Sequence, residues 1–163
     1  MHIFIKKKIL IFNHYNVKCA IGKRGIGIKR KEGDLVTPKG VFKIIRVFYR
    51  KDKIRSLKTK IKKYSIKKDM GWCDDPRSEK YNKLVKLPFN FSAEKFYRRD
   101  NIYDIILVLN YNMHPTKKNK GSAIFIHIAK KNYKSTEGCI GIKRKILKEI
   151  AQTVSNKTKV IIS

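Results

Sequence analysis

Short apolar runs separated by polar turns mark the first part of the chain. Ile3-Phe4-Ile5, Ile9-Leu10-Ile11-Phe12 and Val17-Lys18-Cys19-Ala20-Ile21 read as strands of a meander. Gly22, Gly25 and Gly27 then space a turn. That spacing loosely matches a phosphate-binding loop, but no helical pattern follows it, so turn glycines are expected. Glu32-Gly33-Asp34 and Thr37-Pro38-Lys39-Gly40 carry turn chemistry. Val41 to Tyr49 is rich in β-branched and aromatic residues and predicts a strand. Residues 50–70 read as a Lys-rich connection. Residues 71–100, with Trp72, Pro76 and Pro88, read as a long loop region. Buried strands are predicted over Ile102 to Asn110 and Ser122 to Ala129, and a closing strand over Lys159 to Ile162. One amphipathic helix is predicted from about Lys143 to Val154, with Ile146, Leu147, Ile150 and Val154 on one face. The sum is a mainly β protein with one or two short helices.

The bulk numbers narrow this picture. The chain has 163 residues, no internal repeat and no Pro/Gly/Ser linker, which predicts one domain over residues 1–163. An apolar fraction of 42% is that of a globular chain, so disorder is not expected. Lys and Arg number 41 against 12 acids, a formal net charge of +29. Such a surface attracts polyanions: nucleic acid first, an anionic cell wall or membrane second. Lys spread along the whole chain, with abundant Ile and Asn, is equally the mark of compositional drift. Neither a concentrated basic helix nor an aromatic strand code is present, so no nucleic-acid partner is expected despite the charge. The three cysteines, Cys19, Cys73 and Cys139, leave at least one thiol free. Cys19 reads as a small strand residue. No CxxC or CxxH pair supports a zinc finger, and Cys73, His114 and the nearby acids fit no standard metal spacing, so no metal is expected. No apolar run is long enough to span a bilayer. Only four apolar residues follow Lys6-Lys7-Lys8, too few for a secretory core, so no signal peptide is expected there.

The candidate chemistry lies late in the chain. In Ser122-Ala123-Ile124-Phe125-Ile126-His127-Ile128-Ala129 a period of two puts the three isoleucines on one face and Ala123, Phe125, His127 and Ala129 on the other. His127 is the lone polar side chain of a strand apolar on both faces. Such a residue is either a hydrogen-bonded core histidine or a base. Next comes Ser135-Thr136-Glu137-Gly138-Cys139-Ile140, a small-polar loop with glycine directly before cysteine. A thiol close to a helix start in a cationic chain favours the thiolate. Gly138 lets a carbonyl approach without a Cβ in the way. Backbone N–H groups of the Ser135, Thr136 and Gly138 turn can face an oxyanion. With Cys139 as nucleophile and His127 as base, the pattern predicts acyl transfer. Trp72-Cys73-Asp74-Asp75 is a second cluster. Asp74 and Asp75 either receive ammonium groups of a substrate, with Trp72 as an apolar wall, or cap the turn before Pro76 and pair with nearby Lys. Tyr111, Asn112 and His114, on the loop before the histidine strand, either orient His127, line the cleft or are loop polarity.

A strand ending in His, a short loop, then Ser/Thr-x-Gly-Cys-Ile resembles the catalytic signature of the YkuD-type L,D-transpeptidases. Thr37-Pro38-Lys39-Gly40-Val41-Phe42 resembles their upstream Thr-Pro-x-Gly-x-Phe segment, and Gly121-Ser122 before the histidine strand fits as well. Lys31-Glu32-Gly33-Asp34, Gly71-Trp72-Cys73-Asp74-Asp75-Pro76 with Tyr81-Asn82, and Thr136-Glu137-Gly138-Cys139 resemble one subgroup of that family. Eleven residues separate His127 from Cys139, fewer than is usual there, and Gly141 stands where the family usually has Arg or Asn. The resemblance implies a YkuD-like β-sandwich or open barrel. It implies an enzyme that takes a peptidoglycan stem peptide as acyl donor through a Cys139 thioester, with His127 moving the protons. A second stem's amine would complete a cross-link, and water would give carboxypeptidase activity instead. No metal or organic cofactor is implied. The implied location, the bacterial periplasm or cell envelope, follows from the substrate alone.

Overall fold

The structure is a computed structural model describing residues 1–163. Fourteen strands form. In chain order they are β1 (Ile3–Lys6), β2 (Ile9–Phe12), β3 (Tyr15–Lys18), β4 (Ile26–Gly27), β5 (Thr37–Pro38), β6 (Gly40–Tyr49), β7 (Lys63–Ser65), β8 (Met70–Cys73), β9 (Leu84–Lys86), β10 (Ala93–Lys95), β11 (Ile105–Leu109), β12 (Phe125–Ile128), β13 (Ile140–Ile142) and β14 (Lys159–Ile162). One α-helix, α1 (Arg144–Thr153), and a three-residue 3-10 turn at Lys131–Tyr133 complete the chain.

The main sheet runs β13-β12-β11-β6-β14-β1-β2-β3, with β7 parallel to β6. Its two ends meet. Ala20, just beyond β3, and Gly141 in β13 exchange both backbone hydrogen bonds, at 2.8 and 2.9 Å. The sheet is therefore a nearly closed barrel, with unpaired edge kept to a minimum. Gly141 sits at that seam because a Cβ there would lie 3.0 Å from Ala129 Cα and 3.3 Å from Ala20 Cβ. Ile3, Ile5, Leu10, Val47, Ile105, Leu107, Ile126, Val160 and Ile162 fill the interior with almost no exposure. The amphipathic face of α1 closes it with Ile146, Leu147, Ile150 and Ala151.

A second layer holds the other side of the site. Strands β10-β8-β9 form a small sheet, whose Trp72, with Phe96 just after β10, packs on Phe48, Ile106, Val108 and Phe125. The Trp72 and Phe125 rings meet edge-on at 5.5 Å, the preferred arrangement of aromatic quadrupoles. This layer explains why β11 is apolar at every position. Ile105, Leu107 and Leu109 face the barrel interior, and Ile106 and Val108 face the aromatic layer.

The structure bears out the mainly β class and the helix. It corrects the connections. Residues 50–70 contain β7, and the loop region predicted over 71–100 contains β8, β9 and β10. The strand predicted over Ser122 to Ala129 begins only at Phe125, because Ala123 adopts the left-handed conformation at φ +52°. No helix is long and apolar enough to cross a membrane.

Candidate active site

His127 is held by β12, between Ile106 of β11 and Gly141 of β13. It is 4% exposed. Its Nδ1 lies 2.9 Å from Ile128 O, which makes Nδ1 the protonated nitrogen and leaves Nε2 as the free base. The Tyr103 ring stands edge-on to the imidazole at 5.4 Å and fixes its plane. Desolvation pushes the imidazole down to about 4, so it is neutral near pH 7.

The Cys139 turn is fastened at Thr136, Gly138 and the Cys139 carbonyl. Thr136 N donates to Ile21 O at 2.9 Å, and Thr136 Oγ1 donates to Cys139 O at 2.6 Å and accepts from Gly138 N at 3.1 Å. Thr37 Oγ1 donates to Gly138 O at 2.9 Å and accepts from Gly22 N at 2.8 Å. The Gly22 turn and the Thr37-Pro38 segment therefore clamp the Cys139 loop from outside. Gly138 has φ +147°, and a Cβ there would lie 2.9 Å from Val36 O, so both conformation and space require glycine. The Cys139 N–H enters none of these bonds and is left as a donor for an oxyanion.

The thiol itself donates to Ala123 O at 3.0 Å and accepts from Phe125 N at 3.4 Å. The left-handed turn at Ala123 aims that carbonyl at the sulfur. Desolvation, with Glu94 and Glu137 adding to it, pushes the thiol up to about 12. This corrects the expectation of a thiolate. Strand β13 intervenes between Cys139 and α1, so the helix start is not at the sulfur, and burial outweighs the cationic surface. The resting pair is a thiol and a neutral imidazole.

Both side chains line one cleft of about 230 Å³. Its charges differ from those of the surface: four acids, Glu32, Asp74, Glu94 and Glu137, face Lys29, Arg98 and Lys130. Asp74 Oδ1 is buried there without a hydrogen-bond partner. Burial raises the Glu94 carboxyl above its usual range, with help from Asp74 and Glu137.

A family model for the YkuD L,D-transpeptidase catalytic domain matches residues 3–162. The chain belongs to the YkuD family. No curated protein matches it closely enough to count as a relative.

Within this YkuD domain the other candidate residues scatter. Of the four proposed to bind substrate, Asp74 lines the cleft. Asp75 is 5% exposed and binds Arg77 through both its backbone and its guanidinium, which makes it a turn cap. Trp72 is 1% exposed within the aromatic layer, its Nε1 donating to Asn82 Oδ1 at 3.0 Å. Tyr111 packs on Phe42 at 5.9 Å and does not line the cleft. Ser135 is exposed and outside the cleft, whereas Thr136 and Gly138 line it. His114 lines a separate pocket with Met113 and Thr116. Sequence reasoning misses Lys29 and Glu94, and gives Asn82 no role beyond the Tyr81-Asn82 resemblance. Glu94 carries no local signal, and Lys29 is one of 41 basic residues.

Proposed function

We propose that this domain is a peptidoglycan L,D-transpeptidase that works through a thioester on Cys139, with residues 1–163 acting as one catalytic unit. The observation that carries this reading is the shared cleft of Cys139 and His127 in a chain of the YkuD family. A donor stem peptide lies with the carbonyl of its L-centre over Cys139 Sγ. The thiol proton passes to His127 Nε2 as sulfur attacks, and the oxyanion faces the Cys139 N–H. Collapse expels the terminal D-amino acid, whose nitrogen takes the proton from the imidazolium. A second stem's amine then attacks the thioester and gives a proton to His127, and collapse returns it to the thiolate. Water in the amine's place yields the hydrolytic outcome at the same site.

The cleft's acids support an amine-bearing substrate. The unpartnered Asp74 Oδ1 is suited to an ammonium group, because a buried carboxylate oxygen without a donor is costly until one arrives. The envelope location follows from this substrate. The test is mass spectrometry of muropeptides after incubation with purified protein. Dimers cross-linked through the L-centre, together with a released D-amino acid, support the transfer reading. Shortened monomers alone support hydrolysis, and unchanged muropeptides contradict both.

A further inference from the structure

The proposed reaction places negative charge first on Cys139 and then on the attacked carbonyl oxygen, in a cleft where burial opposes both. Among the charged groups acting most strongly on the sulfur, Glu94 and Glu137 oppose an anion and Lys29 favours one, with Arg98 and Lys130 further cations of the cleft lining. His127 and Tyr103, which also line this cleft, are held neutral by burial.

Lys29 is placed there by construction. It is 8% exposed, and its Nζ donates to Asp34 Oδ1 at 2.6 Å and to Val36 O at 3.3 Å. Lys29 lines the cleft and Asp34 does not, so the ion pair turns its positive end towards the nucleophile. Gly121 keeps the path of the lysine open. A Cβ on Gly121 would lie 2.4 Å from Lys29 Cε, and one on Gly138 would lie 3.5 Å from Nζ. Both glycines have φ values, +100° and +147°, that other residues rarely adopt. The stem thus crosses the residue that opens the histidine segment, and the ammonium ends beside the residue preceding Cys139. Asp34 also holds its own turn through the N–H groups of Arg30, Lys31 and Val36. The turn therefore has a fastening besides the cation. A buried ion pair is in general weak as a stabilising device, since apolar residues of similar volume often serve as well.

We propose that Lys29 supplies the fixed positive charge that stabilises the Cys139 thiolate and the tetrahedral oxyanion. This rests on the Cys139 reaction proposed above. Lys29 exchanges no proton in it: the thiol proton goes to His127 and on to the leaving amine, while the ammonium acts through its field.

The experiment compares wild type, Lys29→Met and Lys29→Arg. Iodoacetamide labelling of Cys139 across pH reads the thiolate, and steady-state cross-linking reads kcat and KM. Lys29→Met is expected to slow labelling about tenfold at a fixed pH below the thiol's pKa, as the removal of one nearby opposite charge does. It should also lower kcat by about 10- to 100-fold with KM little changed. Lys29→Arg should restore most of both. If Lys29→Met does not fold, Lys29→Met/Asp34→Asn leaves neither charge buried alone and carries the same expectations. A folded charge-less variant whose labelling profile superimposes on wild type overturns the proposal. So does a rise in KM alone, which would make Lys29 a substrate anchor. Equal loss in Lys29→Met and Lys29→Arg overturns it too, because shape rather than charge would then matter. Labelling needs no peptidoglycan, so a wild type inactive on muropeptides refutes the proposed function without deciding the role of Lys29.

Discussion

At the scale of single residues, burial rather than mutual attraction sets the resting charges of Cys139 and His127. With the thiol pushed up to about 12, iodoacetamide labelling should rise about tenfold per pH unit from about pH 7 to about pH 10 without a plateau. His127→Ala should leave that profile nearly unchanged while abolishing turnover. A neutral-pH plateau present in wild type and lost in His127→Ala would reveal an ion pair instead. The depressed imidazole also links folding to pH. Its pKa is about 4 in the folded state against 6.5 unfolded, so the unfolded chain binds more protons between those values. The contribution is fully present above about pH 6.5 and is lost as pH falls towards about 4. Urea midpoints should show wild type losing about 2 kcal/mol more than His127→Gln between about pH 7 and about pH 5. An equal loss would mean that the imidazole is not desolvated. Gly138→Ala should cost about 1–3 kcal/mol and most of the activity, through its φ and the Val36 carbonyl. Thermal melting and turnover check both. His127 and the Gly138-Cys139 turn were legible in the sequence because their signals are local: a polar interruption of a two-residue period, and a glycine before a thiol. Lys29 was not, because its meaning comes from Gly121 and Gly138, which lie about a hundred residues away.

At the scale of elements, the small sheet β10-β8-β9 connects to the thiol through Asn82. That side chain accepts from Trp72 Nε1 and from Ala123 N, at 3.0 and 3.1 Å, and donates to the carbonyls of Tyr111 and Asn112. It fixes the left-handed Ala123 whose carbonyl accepts the hydrogen bond of the thiol. Asn82→Ala should therefore leave buried donors and acceptors unpaired, cost about 2–4 kcal/mol and lower kcat more than it raises KM. Denaturation and kinetics measured together check this. Full activity in a destabilised variant would separate Asn82 from the site. The sheet was not legible because its strands have only three or four residues and carry mixed surfaces, as in Ala93-Glu94-Lys95. Such segments are too short for periodicity to be read. Strands β6, β11 and β12 and the helix were legible because a continuous apolar or 3.6-residue pattern persists through them.

At the scale of the whole molecule, a charge of +29 surrounds a cleft in which acids and bases nearly balance. If the outer charge gathers an anionic polymer, turnover on intact wall should fall steeply as salt rises from about 50 to 300 mM, where the Debye length drops below about 10 Å. Turnover on a soluble stem peptide should change little. Equal salt responses on both substrates would assign the charge to composition rather than function. Submicromolar DNA binding with a steep salt slope, together with no muropeptide turnover, would make the chain a nucleic-acid binder. The central claim is a covalent intermediate on Cys139, and the most direct measurement is the intact mass of the protein during reaction with a soluble stem tetrapeptide. The account predicts a mass gain equal to the peptide less its terminal D-amino acid, mapped to Cys139 and absent from Cys139→Ala, which should fold normally but lose turnover by several orders of magnitude. Persistent turnover in Cys139→Ala, or an adduct mapped to Cys73, would contradict it.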